Sequence, residues 1–138
     1  MIYAEDMFFD PRRDKALDLL RSIPPNRIVV PVQSAGETLN WLVKKAKVPK
    51  PLASERVANW LERYIAQPTT LSVMSAAREL LINHNFQVWD SIILAAAAEA
   101  SASILISEDM QDGFTWRGVT VVNPFHSEPS PLLHKLIS

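Results

Sequence analysis

The sequence predicts an α/β fold in which a parallel β-sheet lies between layers of helices. Short apolar runs rich in branched residues alternate with longer runs at helical spacing, as expected when strands are buried on both faces. The chain has 138 residues, 48% of them hydrophobic and 21% charged, which is enough for one domain with a substantial core. We therefore expect a single domain over residues 1–125, followed by a C-terminal tail over residues 126–138.

The predicted elements follow from residues that start or end helices and from the spacing of apolar side chains along the chain. Asp10-Pro11 opens a first helix and Pro24-Pro25 ends it. Residues 27–32 predict a short buried strand, because branched apolar side chains dominate that run. Later helices are predicted from apolar side chains at helical spacing, and later strands from short apolar runs. The predicted helices cover residues 34–46, 52–67, 75–83 and 90–100, and the predicted strands cover residues 69–73, 103–106 and 119–122.

Composition excludes several classes of protein. The net charge is −1, so any nucleic-acid contact must use a local patch, and three glycines cannot build a phosphate-binding glycine loop. The chain has no cysteine, which removes disulfides and thiolate metal sites and suits a reducing cytoplasm. No apolar run is long enough to span a membrane, and the N-terminus lacks the pattern of a signal peptide. We expect a cytoplasmic protein without a membrane partner.

Three acidic residues, Glu37, Asp90 and Asp109, lie where an apolar strand-like run or a loop gives way to a helix-like run. In an open α/β sheet such positions fall at the edge where these folds bind ligands. Carboxylates that meet at one point repel each other unless a cation lies between them. Hard oxygen ligands and the absence of cysteine favour Mg²⁺ or Mn²⁺ over zinc. The residues therefore predict a divalent-metal site with a phosphodiester as its substrate.

Each of these carboxylates also has a structural alternative. Ser34 and Glu37 have the spacing of a capping box, in which the glutamate bonds the serine backbone N–H. Asp90 could be the N-cap of its helix, and Asp109 could form an Asx-turn. The prediction of a site therefore depends on all three falling at the same edge of the sheet.

Four further residues are candidates for this site. Asp112 is close enough to Asp109 in sequence to join a metal shell, or else is a solvated turn residue. Ser107 could donate a hydrogen bond to a carboxylate or a phosphate. Lys44 and Lys45 open a basic run that either contacts a nucleic-acid backbone or forms a solvated helix end.

Four segments resemble motifs of the PIN-domain family. Residues 86–97, FQVWDSIILAAA, resemble its WDA-I-L-AAA helix, and residues 104–113, ILISEDMQDG, resemble its L-SEDMQ-G stretch. Residues 119–125, VTVVNPF, resemble the closing G-TIVNPF, and residues 30–33, VPVQ, are similar to the strand that leads into the family's glutamate. The resemblance covers nearly the whole chain and points to the VapC-type toxin branch of bacterial toxin–antitoxin systems.

This resemblance implies a PIN-like domain and a metal-dependent endoribonuclease that hydrolyses RNA phosphodiester bonds. It also implies a toxin that forms a homodimer and is neutralised by a cognate antitoxin protein, for which Trp41 and Trp60 would be anchors. The family's metal ligands carry over onto Glu37, Asp90 and Asp109. Asp90 and Asp109 would bind Mg²⁺ or Mn²⁺ directly, whereas Glu37 would bind through water or orient the nucleophile.

The N-terminus departs from the family pattern. PIN domains begin with a central strand ending in Asp-x-Asn, and that Asp is a principal metal ligand. This chain opens MIYAED, which is similar to the segment directly after that motif, so the first strand and its Asp are missing from the chain as written. Either residues 1–5 supply a replacement strand or the natural protein starts further upstream. Because Ile2-Tyr3-Ala4 is too short for a central strand, we expect the second, with this chain less stable and nearly inactive.

Two rival functions stay open at this point. The first is a PIN-fold module that binds antitoxin or RNA without cleavage, which the missing Asp favours. The second is another α/β enzyme with an acidic metal site, such as a phosphatase. That enzyme would need an Asp-x-Asp nucleophile after a first strand, and the sequence contains none.

Overall fold

The computed structural model describes residues 21–107 and 109–123, in which helices and short strands alternate as the sequence predicts. The helix expected to open at Asp10-Pro11 and the tail over residues 126–138 lie outside the described residues. The helices are α1 (Val32–Lys44), α2 (Lys50–Arg63), α3 (Leu71–Asn83) and α4 (Val88–Glu99). The strands are β1 (Val29–Pro31), β2 (Ile65–Gln67), β3 (Ile104–Ile106), β4 (Thr115–Trp116) and β5 (Val119–Val122).

The described strands form two sheets rather than the single sheet expected from the sequence. In the first, β1 and β2 run parallel, with Val30 opposite Ala66. In the second, β3 and β5 run parallel, with Leu105 opposite Val121, and β4 joins the far side of β5 antiparallel to it. The α/β class and the parallel pairing are therefore confirmed, whereas the predicted continuity of the sheet is not seen among these strands.

Strands β1 and β3 each have one edge that pairs with no other described strand. Within residues 21–107 and 109–123, the partner of β1 is β2 and the partner of β3 is β5. Helix α4 packs against both β1 and β3, and Ile28 and Ile104 join one apolar cluster around Ile23 and Val122. The two sheets are thus held side by side by a common helix and a shared patch of isoleucine and valine.

Helix α4 is the centre of the larger core. Its sequence is almost wholly apolar, and residues on nearly every side of it are buried. Leu94 packs with Leu80 of α3 and Val121 of β5, and none of the three has measurable solvent exposure. A second cluster joins α1, α2 and β1 around Leu42 and Val30. The helix that carries Asp90 is therefore the most firmly packed element of the described fold.

Two predictions about the middle of the chain are wrong. The helix predicted over residues 52–67 ends at Arg63, and Ile65–Gln67 forms β2. The strand predicted over residues 69–73 is instead the start of α3, because the Thr70 hydroxyl accepts the Val73 backbone N–H at 3.1 Å and caps a helix there. An N-cap threonine followed by an apolar run has the same local composition as a short strand, which explains the error.

The hairpin between β4 and β5 was not predicted from the sequence. Its two loop residues, Arg117 and Gly118, both have positive φ, at 48° and 83°, as a type I′ turn requires. Arg117 donates to Glu79 of α3 at 2.7 Å and lies 4.6 Å from the centre of the Trp116 ring. Trp116 Nε1 also donates to Glu79, at 3.2 Å. These contacts compensate for the strained backbone of Arg117 and attach the hairpin to α3.

The other predicted elements are confirmed with shifted ends. Helix α1 starts and finishes two residues earlier than predicted, α4 starts two residues earlier, and β5 has its predicted bounds. Among the residues that the structure describes, no helix is long and apolar enough to cross a membrane.

Candidate functional site at the carboxyl edge

Glu37, Asp90 and Asp109 come from three different elements that meet beside β1 and β3. Helix α1 starts directly after β1, which places Glu37 in its second turn near the carboxyl end of that strand. Asp109 lies in the loop three residues after β3, and Asp90 is in the first turn of α4, the helix that packs on both strands. We call these three residues the acidic edge.

The capping-box alternative for Glu37 is wrong. Helix α1 begins at Val32 with Pro31 as its N-cap, so Ser34 is already inside the first turn and Glu37 follows it one turn later. The Glu37 carboxylate instead accepts a side-chain hydrogen bond from Gln33, one turn back on the same face. Glu37 is exposed at the surface and does not contribute to the helix start. Its position has no capping function, which leaves its carboxylate for another role.

The N-cap alternative for Asp90 is also wrong. Gln87 is the N-cap of α4, and Asp90 is the third residue inside the helix. Its neighbour Ser91 is buried and donates from its hydroxyl to the Gln87 carbonyl at 2.8 Å, which fixes the first turn. The half-buried Asp90 carboxylate lies where the helix dipole favours negative charge.

The turn that carries Asp109 is organised by Ser107. The Ser107 hydroxyl accepts the backbone N–H groups of Asp109 and Met110, both at 3.3 Å. The Ser107 backbone N–H donates to the Val122 carbonyl at 3.0 Å, so the turn is also attached to β5. Met110 is buried in the larger core, whereas Asp109 is exposed. The serine hydroxyl therefore makes the turn that the Asx-turn alternative assigned to Asp109, and Asp109 projects from a fixed loop.

The carboxylates of the acidic edge interact electrostatically. Burial raises the pKa of Asp90 above its ordinary value, and the charge of Asp109 raises it further. Partial desolvation also raises the pKa of Glu37, the bond from Gln33 opposes this, and the charge of Asp90 adds to the rise. Asp90 is thus the middle member, because it repels both of the others. The folded protein holds these negative charges at an electrostatic cost.

The donor set fits a hard divalent cation in its chemistry. Carboxylate oxygens are the preferred ligands of Mg²⁺ and Mn²⁺, and a cation would relieve the repulsion that raises the pKa of Asp90. In residues 21–107 and 109–123, however, no three acidic or histidine side chains are gathered closely enough to enclose a metal ion. Mg²⁺ usually keeps several waters and uses one or two protein carboxylates, so it does not need such an enclosure.

The remaining candidates have distinct surroundings. Asp112 Oδ1 accepts the Asn123 backbone N–H at 2.8 Å and so joins the loop after β3 to the end of β5. Lys44 is the last residue of α1 and Lys45 is its C-cap, both exposed. Lys44 follows Glu37 by seven residues, nearly two full turns, and therefore shares its face of the helix. Lys45 lies about 80° away from that face.

A family model, the PIN domain, matches residues 2–111. The chain belongs to the PIN-domain family. The match includes the three residues of the acidic edge, and the α/β class, with four helices among the described residues, agrees with a PIN domain. A comparison with curated proteins finds no match to this chain.

Membership in the PIN family gives the general activity. PIN domains are generally nucleases that act on nucleic acids, and they generally use divalent metal ions. In this PIN domain, sequence reasoning missed the hydrogen bond from Gln33 to Glu37, although their spacing of four residues is a signal for such a contact. Trp60, expected as an anchor for a partner, is only 5% exposed and belongs to the interior, so that expectation is wrong.

Proposed function

We propose that this protein is a metal-dependent endoribonuclease that hydrolyses RNA phosphodiester bonds with Mg²⁺ or Mn²⁺ at the acidic edge. The observation that carries the proposal is the position of Asp90, whose charge interacts with both Glu37 and Asp109. Repulsion among three carboxylates that neither cap a helix nor close an ion pair in the described structure is an arrangement typical of a cation site. Membership in a family of nucleases supports the same reading.

Asp90 and Asp109 would hold the metal directly, and Glu37 would bind it through water or orient the attacking water. When bound, the metal would lower the pKa of a coordinated water and neutralise charge on the scissile phosphate. Asp90 is suited to a direct role because the packing of α4 fixes its backbone. Asp112 already uses Oδ1 to accept a backbone N–H, so a metal contact there would use its other oxygen.

Lys44, Lys45 and Ser107 would contact the RNA. Lys44 is the stronger of the two lysines, because it shares a helix face with Glu37 and can meet a phosphate beside the acidic edge. The Ser107 oxygen accepts two backbone N–H groups, which uses both of its lone pairs. Its own O–H hydrogen is left to donate to a phosphate oxygen.

The test is cleavage of single-stranded RNA by the purified chain with Mg²⁺, with Mn²⁺ or with EDTA. We expect cleavage with either metal, none with EDTA, and at least about a hundred-fold loss for Asp90→Asn. Glu99→Gln is the matched control, because it removes a charge from the same helix about 13.5 Å along its axis. Cleavage that survives in EDTA, or equally in Asp90→Asn, would contradict the proposal.

A second candidate is a PIN module that binds RNA or antitoxin without cutting. It is favoured by the finding that no three acidic side chains among the described residues enclose a metal ion. Under this reading the chain binds RNA with the same affinity whether Mg²⁺ or EDTA is present, and the RNA stays intact. Binding and cleavage measured on one RNA sample separate the two candidates.

We also propose that the protein is a VapC-type toxin of the cytoplasm, paired with an antitoxin and active as a homodimer. Helix α3 offers a surface for the second copy, because it exposes an apolar stripe that includes Leu71 at 86%, Ile82 at 72% and Met74. Light scattering at tens of micromolar should give a dimer, and a monomer would contradict this part of the proposal. Growth arrest on expression should require Asp90 and should be relieved by the antitoxin.

A further strand between β1 and β3 would complete the active site. Each of these strands has one edge without a described partner, and α4 lies across both. In the family such a central strand ends in Asp-x-Asn, and its Asp would add a fourth carboxylate to the acidic edge. Unpaired buried backbone groups cost about 1–3 kcal/mol each, so this strand would also stabilise the fold.

A further inference from the structure

The turn between α1 and α2 carries a dense group of positive charges. Between Glu37 and Glu55 the chain has no acidic residue, whereas the same stretch contains four lysines: Lys44, Lys45, Lys47 and Lys50. All four are exposed, and within the described residues none of them forms an ion pair. We call residues 44–50 the lysine turn. A chain of net charge −1 therefore concentrates unpaired positive charge on one short segment.

The backbone of the lysine turn is fixed. Val48 is buried in the cluster that joins α1 and α2, and its N–H donates to the Leu42 carbonyl at 2.9 Å. The Ala46 N–H donates to the Trp41 carbonyl at 3.1 Å and closes the end of α1. The lysine side chains therefore extend into solvent from a defined backbone that is held by an apolar anchor.

Lys47 has a backbone conformation that favours glycine. Its φ is 56°, in the left-handed region, where a residue with a side chain is strained and glycine is not. A turn that follows a helix most often places glycine or asparagine in this conformation. The stability of the turn therefore does not explain a lysine at this position.

Lys50 has an unfavourable position in its own helix. It is the first residue of α2, and the first turn of that helix contains no acidic residue. The amino end of a helix carries a partial positive charge, which repels a cation. Lys44 and Lys45 lie instead at the carboxyl end of α1, where the helix dipole favours a cation. The helix dipoles thus account for Lys44 and Lys45, and they leave Lys47 and Lys50 unexplained.

The position of the lysine turn on α1 favours an RNA strand as its partner. Lys44 follows Glu37 by seven residues, so it lies about 10.5 Å further along the axis of α1 and on nearly the same face. A strand with one phosphate beside Glu37 can therefore continue along α1 and bring a later phosphate to the lysine turn. Lysines bind such a backbone through its charge, without reading the bases.

We propose that Lys47 and Lys50 extend the contact of Lys44 into a surface that binds the phosphate backbone of RNA away from the bond that is cut. This inference rests on the proposed nuclease function and adds a second contact surface for the same substrate. The lysine turn holds the strand and takes no part in the chemistry. Its loss should therefore weaken binding without slowing the cleavage of bound RNA.

The test is the binding of a sixteen-nucleotide single-stranded RNA in EDTA at several salt concentrations, with the RNA checked on a gel to be intact. Each phosphate contact that is lost reduces the slope of log K against log salt concentration by about 0.7. Lys47→Gly combined with Lys50→Gln should therefore reduce the slope by about 1.4. Lys47→Arg keeps the charge and should keep the wild-type slope.

Loss of folding does not confound this double variant. Glycine suits the positive φ at position 47, and glutamine removes the unfavourable charge from the amino end of α2. The double variant should therefore melt no lower than the wild type while it binds RNA more weakly. A weaker binding that is accompanied by a lower melting temperature would contradict this account of the two lysines.

The matched control is Arg63→Gln. Arg63 is an exposed cation on the same helix as Lys50, about 20 Å further along the axis of α2. Its replacement removes one charge, as Lys50→Gln does, and should leave the slope unchanged. Equal falls in slope for Arg63→Gln and Lys50→Gln would overturn the proposal, because net charge rather than a local surface would then determine the affinity. An unchanged slope in the double variant would also overturn it and would favour an acidic protein as the partner of the lysine turn.

Failure of this inference is distinguishable from failure of the proposed function. Binding in EDTA requires no cleavage, so a slope that falls as predicted in a chain that cuts no RNA supports the lysine turn and contradicts the nuclease. In a chain that cuts RNA, the double variant should raise KM and leave kcat unchanged, because it removes binding that substrate and transition state share. A fall in kcat with KM unchanged would contradict the binding role and leave the nuclease intact.

Discussion

Replacing Asp90 with asparagine should stabilise the metal-free protein. Asp90 is the carboxylate whose charge acts on both Glu37 and Asp109, and burial raises its pKa as well. Asparagine has nearly the same shape and no charge, so Asp90→Asn removes two repulsions at once. Glu37→Gln and Asp109→Asn each remove one. Asp90→Asn should therefore stabilise the metal-free protein more than either Glu37→Gln or Asp109→Asn.

The size of the effect is set by opposing contributions. A pair of like charges about 4 Å apart in a watery environment costs about 1 kcal/mol, and less at greater separation or in salt. Removing two such pairs can raise the free energy of unfolding by at most about 2 kcal/mol. The variant also loses the attraction between the Asp90 charge and the dipole of α4, about 0.3–1 kcal/mol, which is subtracted from that gain. The net gain is therefore at most about 1–1.7 kcal/mol, and each kcal/mol raises the melting temperature of a chain of this size by about 3–5 °C.

The assay is thermal melting in EDTA and again with Mg²⁺. In EDTA the variant should melt above the wild type, whereas Glu55→Gln, an exposed charge removal on α2, should change little. With Mg²⁺ the wild type should gain stability and Asp90→Asn should gain less, because the ion binds the folded state through that carboxylate.

The pH dependence has a definite sign. Because the folded protein raises the pKa of Asp90, the ionised form is unfavourable when folded, and its cost is present at neutral pH. That cost disappears as the pH falls through the raised pKa, so the advantage of Asp90→Asn should shrink there. A variant that melts below the wild type in EDTA at neutral pH would refute the reasoning about the acidic edge.

Two further predictions concern the hairpin and the lysines. The hydrogen bond from Arg117 lowers the pKa of Glu79, so its stabilisation is present at neutral pH and is lost as the pH falls through that lowered pKa. Glu79→Gln should therefore lower the melting temperature at neutral pH and have less effect in acid; a difference independent of pH would contradict this. Lys44→Ala should weaken RNA binding and reduce the slope of log K against log salt concentration by about 0.7, whereas Lys45→Ala should have a smaller effect on both. Equal effects of the two variants would contradict the assignment of Lys44 to the helix face that carries Glu37.

The sequence predicts an element well where its pattern is long or where helix-breaking residues mark its ends. The helix that carries Asp90 is buried on nearly every side. Its apolar run therefore predicts a helix whichever face is assumed to point towards the core. The run over residues 69–73 shows the opposite case. Five residues with threonine and branched side chains fit a strand and a helix start equally well, and only the contact of Thr70 with Val73 decides between them.

The acidic edge could be predicted in part. The positions of Glu37, Asp90 and Asp109 after strands or at helix starts predict that they lie near one another, because parallel strands share a carboxyl edge. The finding that Asp90 interacts with both Glu37 and Asp109 depends on distances between side chains, which the spacing along the chain does not determine.

The most direct test of the account is single-turnover RNA cleavage by Glu37→Gln, Asp90→Asn and Asp109→Asn, made singly and together. Residues that act as one unit are strongly non-additive, so the triple variant should be little worse than the most damaged single variant. We predict a loss of at least about a hundred-fold for Asp90→Asn and Asp109→Asn, with folding confirmed by melting. Cleavage that persists in the triple variant, or losses that simply multiply, would contradict a shared metal site at the acidic edge.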